Sequence, residues 1–231
     1  RAKLREVMET CGHQNEAYVG FEQEYTFFKN GRPLGWPQDG FPSPQGPFYC
    51  GVGATKVYGR DIVEEHMELC NRVGLSIYGI NAEVMPGQWE FQLGYRNIEG
   101  EKADPLTMSD QMWLARYLLH LVSEKYDVTV SFSNKPISGD WNGAGMHTNF
   151  STKNMRSQST GKEAIDQAIK NLGSQHTEHV NAYGHKLAER LTGLHETCSI
   201  SEFRSGVSDR GASIRIPVST AQKGYGYIED R

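Results

Sequence analysis

Several things are missing from this sequence, and each absence removes a class of protein. Cysteine is sparse: Cys11, Cys50, Cys70 and Cys198 stand apart, with no CxxC among them. Four scattered thiols with no secretory context read as reduced, so a cytoplasmic chain is expected. No stretch of about 18 apolar residues occurs, so no membrane span is expected. Arg1 to Thr10 lacks the apolar centre of a signal peptide. Positive charge is not in excess either: 24 Lys and Arg face 28 Asp and Glu, for a net charge of -4. A nucleic-acid surface needs clustered Lys and Arg, so that partner class is excluded. Neither GxxxxGK[ST] nor HExxH is present, which excludes a P-loop and a zinc-protease helix. With 37% hydrophobic and 23% charged residues, disorder is excluded as well.

Glycine, by contrast, is abundant. There are 25 among 231 residues, where the usual share of about 7% predicts about 16. The length suits one large domain, and no repeat or linker divides the chain, so a single compact unit is expected. Val19 to Phe28 alternates with a period of two, placing Glu22, Glu24 and Thr26 on one face and Phe21, Tyr25 and Phe27 on the other. Gly31 to Phe48 holds five of the nine prolines and reads as a long surface loop. Asp61 to Val73 and Ser109 to Tyr126 carry helical periodicity, the second with Ser109 as N-cap. Between them, Ile77 to Tyr95 reads as a hairpin turning at Pro86-Gly87. Val128 to Ser133 and Gly143 to Ser151 are further extended runs, the latter placing His147, Asn149 and Ser151 on one face. Lys162 to Leu191 is helical with breaks at Gly173 and Gly184, and Ala212 to Arg231 returns to strands. Strands with long inserted helices favour an α+β, antiparallel arrangement over a doubly wound sheet.

Four carboxylates sit in aromatic strands: Glu22 and Glu24 in GFEQEYTFF, Glu83 and Glu90 in NAEVMPGQWEFQ. Singly, each reads as a solvated acid on an outer face. Acids two apart on a strand project from the same side about 6 to 7 Å apart, where their repulsion raises one pKa unless a cation lies between them. A divalent ion is the simplest remedy, and Mn²⁺ tolerates an imidazole, which His147 can supply. A cationic set follows: Arg190, then Arg204, Arg210 and Arg215 in EFRSGVSDRGASIRIP, and Arg231 after Glu229. The planar guanidinium matches carboxylate and phosphate oxygens bidentately. Arg204 and Arg210 read equally well as ordinary loop charges. Arg215 lies between Ile214 and Ile216 and so faces away from that apolar pair. The glycines of GDWNGAGMH, before His147, allow close approach of backbone to a ligand.

The runs GFEQEYTFF, NAEVMPGQWEFQ, SGDWNGAGMHTNFS, RLTGLHETCSISEFRSGVSDRGASIRIP and GYIEDR resemble glutamine synthetase, specifically the eukaryotic-type (type II) family. They extend from Val19 to Arg231. The resemblance implies a curved antiparallel sheet lining an active site, with packed helices. It implies ATP-dependent ligation of ammonia to L-glutamate with two or three Mg²⁺ or Mn²⁺ ions. Matched residue by residue, Glu24, Glu83 and Glu90 would hold the metal nearer the glutamate γ-carboxylate; Glu22, His147 and Glu229 would hold the metal at the ATP phosphates, where Glu90 also counts among the nucleotide-site residues. Arg190 and Arg231, with Asn142 and Gly143, match the groups that grip glutamate. Arg210 and Arg215 match those that meet ATP phosphates and the transferred group. Glu196, in the HET flap, matches the residue that closes the site and takes a proton from ammonium. Asn149, Ser151 and the backbone around Tyr227 and Ile228 resemble nucleotide contacts.

The same resemblance implies that residues 1–231 are a catalytic domain lacking the family's N-terminal β-grasp domain and extreme C-terminus, and that the isolated chain has little activity. Family members stack as rings, commonly decamers of pentamers. Ala82 replaces a more usual Gly beside Glu83. Two other readings compete: a non-catalytic relative that keeps the fold as a structural protein, and a related ligase joining glutamate to another amine. Retention of all six metal-ligand positions and Glu196 favours the synthetase.

Overall fold

The computed structural model describes residues 1–231. In chain order the elements are α1 (Ala2–Val7), a π-helical turn (Met8–Gly12), β1 (Tyr18–Lys29), β2 (Arg32–Pro33), α2 (Arg60–Arg72), β3 (Ile77–Ala82), β4 (Gln88–Leu93) and α3 (Pro105–Glu124). They continue with β5 (Thr129–Ser131), β6 (Met146–Ser151), α4 (Gly161–Ser174), α5 (His176–Ala182), α6 (Leu187–Arg190), β7 (Ser205–Val207), β8 (Ile214–Ile216), α7 (Val218–Lys223) and β9 (Ile228–Asp230). This is an α+β chain, as the strand and helix pattern predicts. No helix is long and apolar enough to cross a membrane.

Two compact units take interleaved segments: one from Arg1–Gly20, Lys102–Met108 and His147–Arg231, the other from Phe21–Glu101 and Ser109–Met146. In the second unit, β1 pairs antiparallel with β4, β2 and β5, and β4 pairs with β3. The β1–β4 register sets Phe21 opposite Leu93, Gln23 opposite Phe91 and Tyr25 opposite Trp89. Because side chains alternate, this face is apolar and the other carries Glu22, Glu24 and Glu90. Tyr25, Phe27, Trp89 and Phe91 are fully buried, with Tyr25 edge-on to Phe27 at 5.2 Å between ring centres. Burying each contributes about 1.5 to 3 kcal/mol.

Helices α2 and α3 both contribute to this core, through Val63, His66 and Cys70 of one and Met112, Ala115 and Leu119 of the other. His66 Nε2 lies 2.9 Å from the Ala115 carbonyl, tying the two helices together. The α3 helix begins four residues before the expected Ser109. Asp104 is its cap: Oδ1 accepts the N–H groups of Leu106 and Thr107. The sequence signal is Asp104-Pro105, an acid cap followed by proline at the first helical position, where a missing N–H costs nothing.

In the other unit β6, β9 and β8 pair antiparallel in that order, while β7 pairs parallel with β8. The parallel pair departs from the wholly antiparallel expectation. Parallel neighbours usually need a crossover of a dozen residues, but strands of three residues require a return of only about 7 Å, which the turn through Ser208, at φ 55°, makes directly. The tail also contains α7, where strands alone were expected. Pro217 opens it with φ -58° and Gly224 closes it in the left-handed conformation, φ 77°. Met155, Ile165, Ile214 and Ile228 form this unit's core, with Phe150, Leu172 and Phe203 packed around it.

Candidate metal and anion site

The acidic face of the second unit is assembled by strand register. Glu24 of β1 lies directly across from Glu90 of β4, and Asn81 of β3 lies across from Glu90 on the other side. Glu83 comes two residues after Asn81, on the same side of the chain by alternation. A turn in which Met85 C=O accepts the Gln88 N–H at 3.1 Å returns the chain to β4, with Pro86 and Gly87 (φ 81°) in its middle. One carboxylate oxygen from each of Glu24, Glu83 and Glu90 then lies within 4.8 Å of the others. Glu83 and Glu90 are only 8% and 7% exposed.

Like charges across a strand pair repel, and these are desolvated too. The Glu90 carboxyl is pushed up to about 9, first by burial and then by Glu24, Glu83 and Glu22, while a hydrogen bond from Gln92 opposes the rise. Each carboxylate is oriented by a donor. The Gly145 N–H donates to Glu24 Oε2, Asn81 Nδ2 donates to Glu83 Oε1 at 3.0 Å, and Gln92 Nε2 donates to Glu90 Oε1. Three oriented carboxylates and no sulfur form a hard-cation donor set; Mg²⁺ and Mn²⁺ fit it.

Beside this face runs the glycine-rich loop. Asn142 and Gln45 exchange two hydrogen bonds, Gln45 Nε2 to Asn142 Oδ1 at 2.8 Å and Asn142 N–H to Gln45 Oε1 at 2.9 Å. Buried Gln88 donates to the Gly143 carbonyl at 2.7 Å. Glutamine side chains thus hold the loop, and composition gave no signal for this. Gln88 alone was visible in pattern, next to Trp89 in the strand that carries Glu90.

In the first unit, Glu229 of β9 sits between Asn149 of β6 and Arg215 of β8. It is 1% exposed and faced by two guanidinium groups and an imidazole. Arg215 Nη2 meets Oε2, Arg231 Nη1 lies 3.4 Å from Oε1, and His147 Nδ1 lies 3.3 Å from the same oxygen. Arg215 does project from the polar side of β8, as its place between two isoleucines predicts, while Ile214 is in the core. Buried Ser151 accepts a hydrogen bond from Arg156 Nη1 at 2.9 Å. The Tyr227 carbonyl and N–H both pair with Thr220 Oγ1, at 3.2 and 3.3 Å.

A cavity in the same unit is lined by Arg190, Arg231, Glu196, Tyr183, His179 and Asp230, among others. It gathers three of the predicted residues from separate segments. Glu196 pairs with Arg210 at 3.4 Å, and both His195 and Glu196 have positive φ, 54° and 61°. Two consecutive non-glycine residues in that region mark a backbone held against its preference. Asp230 and Tyr183 escaped the sequence reading. Asp230 accepts the Tyr183 hydroxyl, and burial holds its carboxyl above the usual range, opposed by that bond and by nearby histidines. Its alternation with Glu229 and Arg231 was the available signal: it must face the other side of β9. Arg204 instead spans its own loop, bonding the Gly211 carbonyl, the structural role weighed for it.

Comparison with known proteins places these motifs. The glutamine synthetase catalytic domain family matches residues 1–226. The chain is 57% identical over 232 residues to a glutamine synthetase of Neurospora crassa, covering 100% of this chain and 62% of that protein. It is 54% identical over 233 residues to one of Streptomyces viridochromogenes, covering 100% and 65%. To a chloroplastic glutamine synthetase of Chlamydomonas reinhardtii it is 51% identical over 234 residues, covering 100% and 60%. The chain therefore spans less than two thirds of the length of these relatives. With the match running from the first residue almost to the last, the chain belongs to the glutamine synthetase catalytic domain family.

Proposed function

We propose that this chain carries the chemistry of an ATP-dependent ligase that joins ammonia to L-glutamate. The observation that carries the proposal is the convergence of Glu24 with buried Glu83 and Glu90, one carboxylate oxygen of each lying within 4.8 Å of the others, in a chain of this family. That donor set would hold one Mg²⁺ or Mn²⁺ ion near the glutamate γ-carboxylate. Glu22, His147 and Glu229 would hold a second at the ATP phosphates. Bound metal neutralises carboxylate and phosphoryl oxygens as they approach one another.

The remaining residues bind and orient. Arg190 and Arg231 grip the amino-acid substrate, helped by Asn142 and the backbone of Gly143. Arg210 and Arg215 receive the phosphoryl oxygens, for which their planar forks are suited. Asn149, Ser151 and the Tyr227–Ile228 backbone contact the nucleotide. The γ-carboxylate oxygen attacks the γ-phosphorus of ATP, the bond to the bridging oxygen breaks, and ADP leaves with that electron pair. Ammonia then attacks the activated carbonyl of γ-glutamyl phosphate and phosphate departs. Glu196 takes the proton released from ammonium, and its flap excludes water that would hydrolyse the intermediate. Glu196 pairs with Arg210 at 3.4 Å, so a phosphoryl group that draws Arg210 away frees the base for ammonium. Assembly as stacked pentameric rings and residence in the cytoplasm belong to the same reading.

The test is calorimetry on the chain. We expect a non-hydrolysable ATP analogue to bind only with Mn²⁺ or Mg²⁺ present, and to lose at least tenfold in affinity in Arg215→Met, since one charge-assisted phosphate contact is worth about 1.5 to 3 kcal/mol. Nucleotide affinity that is absent, or indifferent to metal, overturns the proposal.

A further inference from the structure

Gln23 stands between two predicted ligands, yet by alternation it faces the core. It is 3% exposed, a buried amide whose every polar atom has a partner. Its Oε1 accepts from Arg116 of α3, from Nε at 2.9 Å and from Nη2 as well. Its Nε2 donates to the Glu24 carbonyl at 2.7 Å and to the Gly145 carbonyl at 3.3 Å. Gly145 is in turn bonded twice to Glu24: its carbonyl accepts the Glu24 N–H at 3.0 Å, and its own N–H donates to Glu24 Oε2. Arg116 is itself fixed. Its guanidinium lies over the rings of Phe132 and Trp113, 5.1 and 5.7 Å from their centres, and Nη2 reaches Met146 Sδ at 3.4 Å.

These contacts form one continuous path from the α3 surface to a carboxylate: Arg116 holds the Gln23 amide, the amide holds the Gly145 carbonyl, and the Gly145 N–H, on the adjoining peptide plane, holds Glu24. The Gly145 carbonyl and N–H lie on adjacent peptide planes joined at a Cα without a side chain, so anchoring the carbonyl limits the φ and ψ freedom by which the N–H could turn away from Oε2. With Oε2 occupied, the carboxylate is held in place while one of its oxygens lies within 4.8 Å of those of Glu83 and Glu90. An apolar residue at position 23 would leave the Arg116 guanidinium without this acceptor and the Gly145 carbonyl without this donor.

We propose that Gln23, locked by Arg116, is a positioning residue for the Glu24 carboxylate, acting through the Gly145 backbone to preset this metal ligand. The inference rests on the reading of Glu24, Glu83 and Glu90 as a cation site. Groups that orient metal ligands from behind change affinity by about 10- to 100-fold.

The experiment is Mn²⁺ titration of the 231-residue chain by calorimetry, with the thermal midpoint of each metal-free variant as the fold control. Glu24→Ala is expected to abolish the tighter binding event. Gln23→Met is expected to weaken it about 10-fold or more while its metal-free midpoint stays above the titration temperature. Arg116→Met, on the partly exposed helix, keeps the test available should Gln23→Met not fold. By charge alone, losing a cation near the site would tighten Mn²⁺ binding; we expect it to weaken instead, about three- to tenfold, and the double variant to be no worse than Gln23→Met. Mn²⁺ affinity unchanged or improved in both single variants overturns the positioning role while leaving the cation site standing. No Mn²⁺ binding to the parent chain, or binding that survives Glu24→Ala, overturns the cation site and the positioning role with it.

Discussion

Glu90 faces Glu24 across one strand pair and has Glu83 beside it, and it gains no cation from the chain itself. Its carboxyl pays for that position in stability, since its folded value near 9 lies far above the unfolded value of about 4.3. Below pH 4.3 the group is protonated in both states. Above it, folding requires the proton to be kept, and stability is lost until pH passes 9. Glu90→Gln removes that cost, so at pH 7 the metal-free variant should be more stable by up to roughly 4 kcal/mol in urea unfolding. The same variant should lose at least tenfold in Mn²⁺ affinity. A less stable variant with unchanged affinity would contradict the site. At this scale the sequence was legible wherever chemistry repeats with strand period: Glu22, Glu24 and Arg215 announced their faces by their apolar neighbours. Gln23 and Asp230 did not, because a neutral amide or an acid among acids has no unusual pattern until its partners, Arg116 and Tyr183, are known.

Between elements, the α2–α3 contact contains a buried titratable group. His66 is fully buried, donating toward the Ala115 carbonyl with Cys70 Sγ 3.2 Å from the same nitrogen. Burial holds the imidazole down at about 4 and the Cys70 thiol up at about 12, so the pair is neutral and inert. An unfolded chain protonates His66 near pH 6.5 and the folded one does not. Stability should therefore be full above pH 6.5 and fall as pH drops toward 4, by roughly 3 kcal/mol in all. Urea midpoints of parent and His66→Gln across that range check this: the variant should show a shallower decline.

The β3–β4 turn offers a second test between elements. Gly87 has φ 81°, and a Cβ there would lie 2.5 Å from the Leu34 carbonyl oxygen. Gly87→Ala should destabilise by about 2 to 4 kcal/mol and weaken Mn²⁺ binding, because the turn carries both Glu83 and Glu90 into place. Circular dichroism melts and the Mn²⁺ titration read the two effects separately. The Pro86-Gly87 signal located this turn from sequence. The start of α3 was misread because Ser109 is a good cap in isolation, whereas Asp104 both caps and precedes a proline.

For the molecule as a whole, cation binding should appear as stability. An ion that binds only the folded chain adds about 2.7 kcal/mol at one hundred times its dissociation constant. For a chain of this size that corresponds to a rise of roughly 5 to 10 °C in melting temperature. Mn²⁺ should produce it, a chelator should reverse it, and Glu24→Ala should lose much of it. An unshifted melting temperature at saturating Mn²⁺ would count against the carboxylate site.

The sequence by itself determined the α+β class, the alternation that puts acids on one face of β1 and aromatics on the other, the helices, and the motifs that define the family. Those properties follow from local periodicity and from residue types whose chemistry is the same in any context. Only the tertiary structure decided which groups meet. The β1–β4 register sets Glu24 against Glu90, β9 brings Glu229 between Arg215 and His147, and α3 delivers Arg116 to Gln23. A shift of one residue in either strand pairing would send the same side chains to the opposite face, and nothing local to the sequence fixes register across such separations.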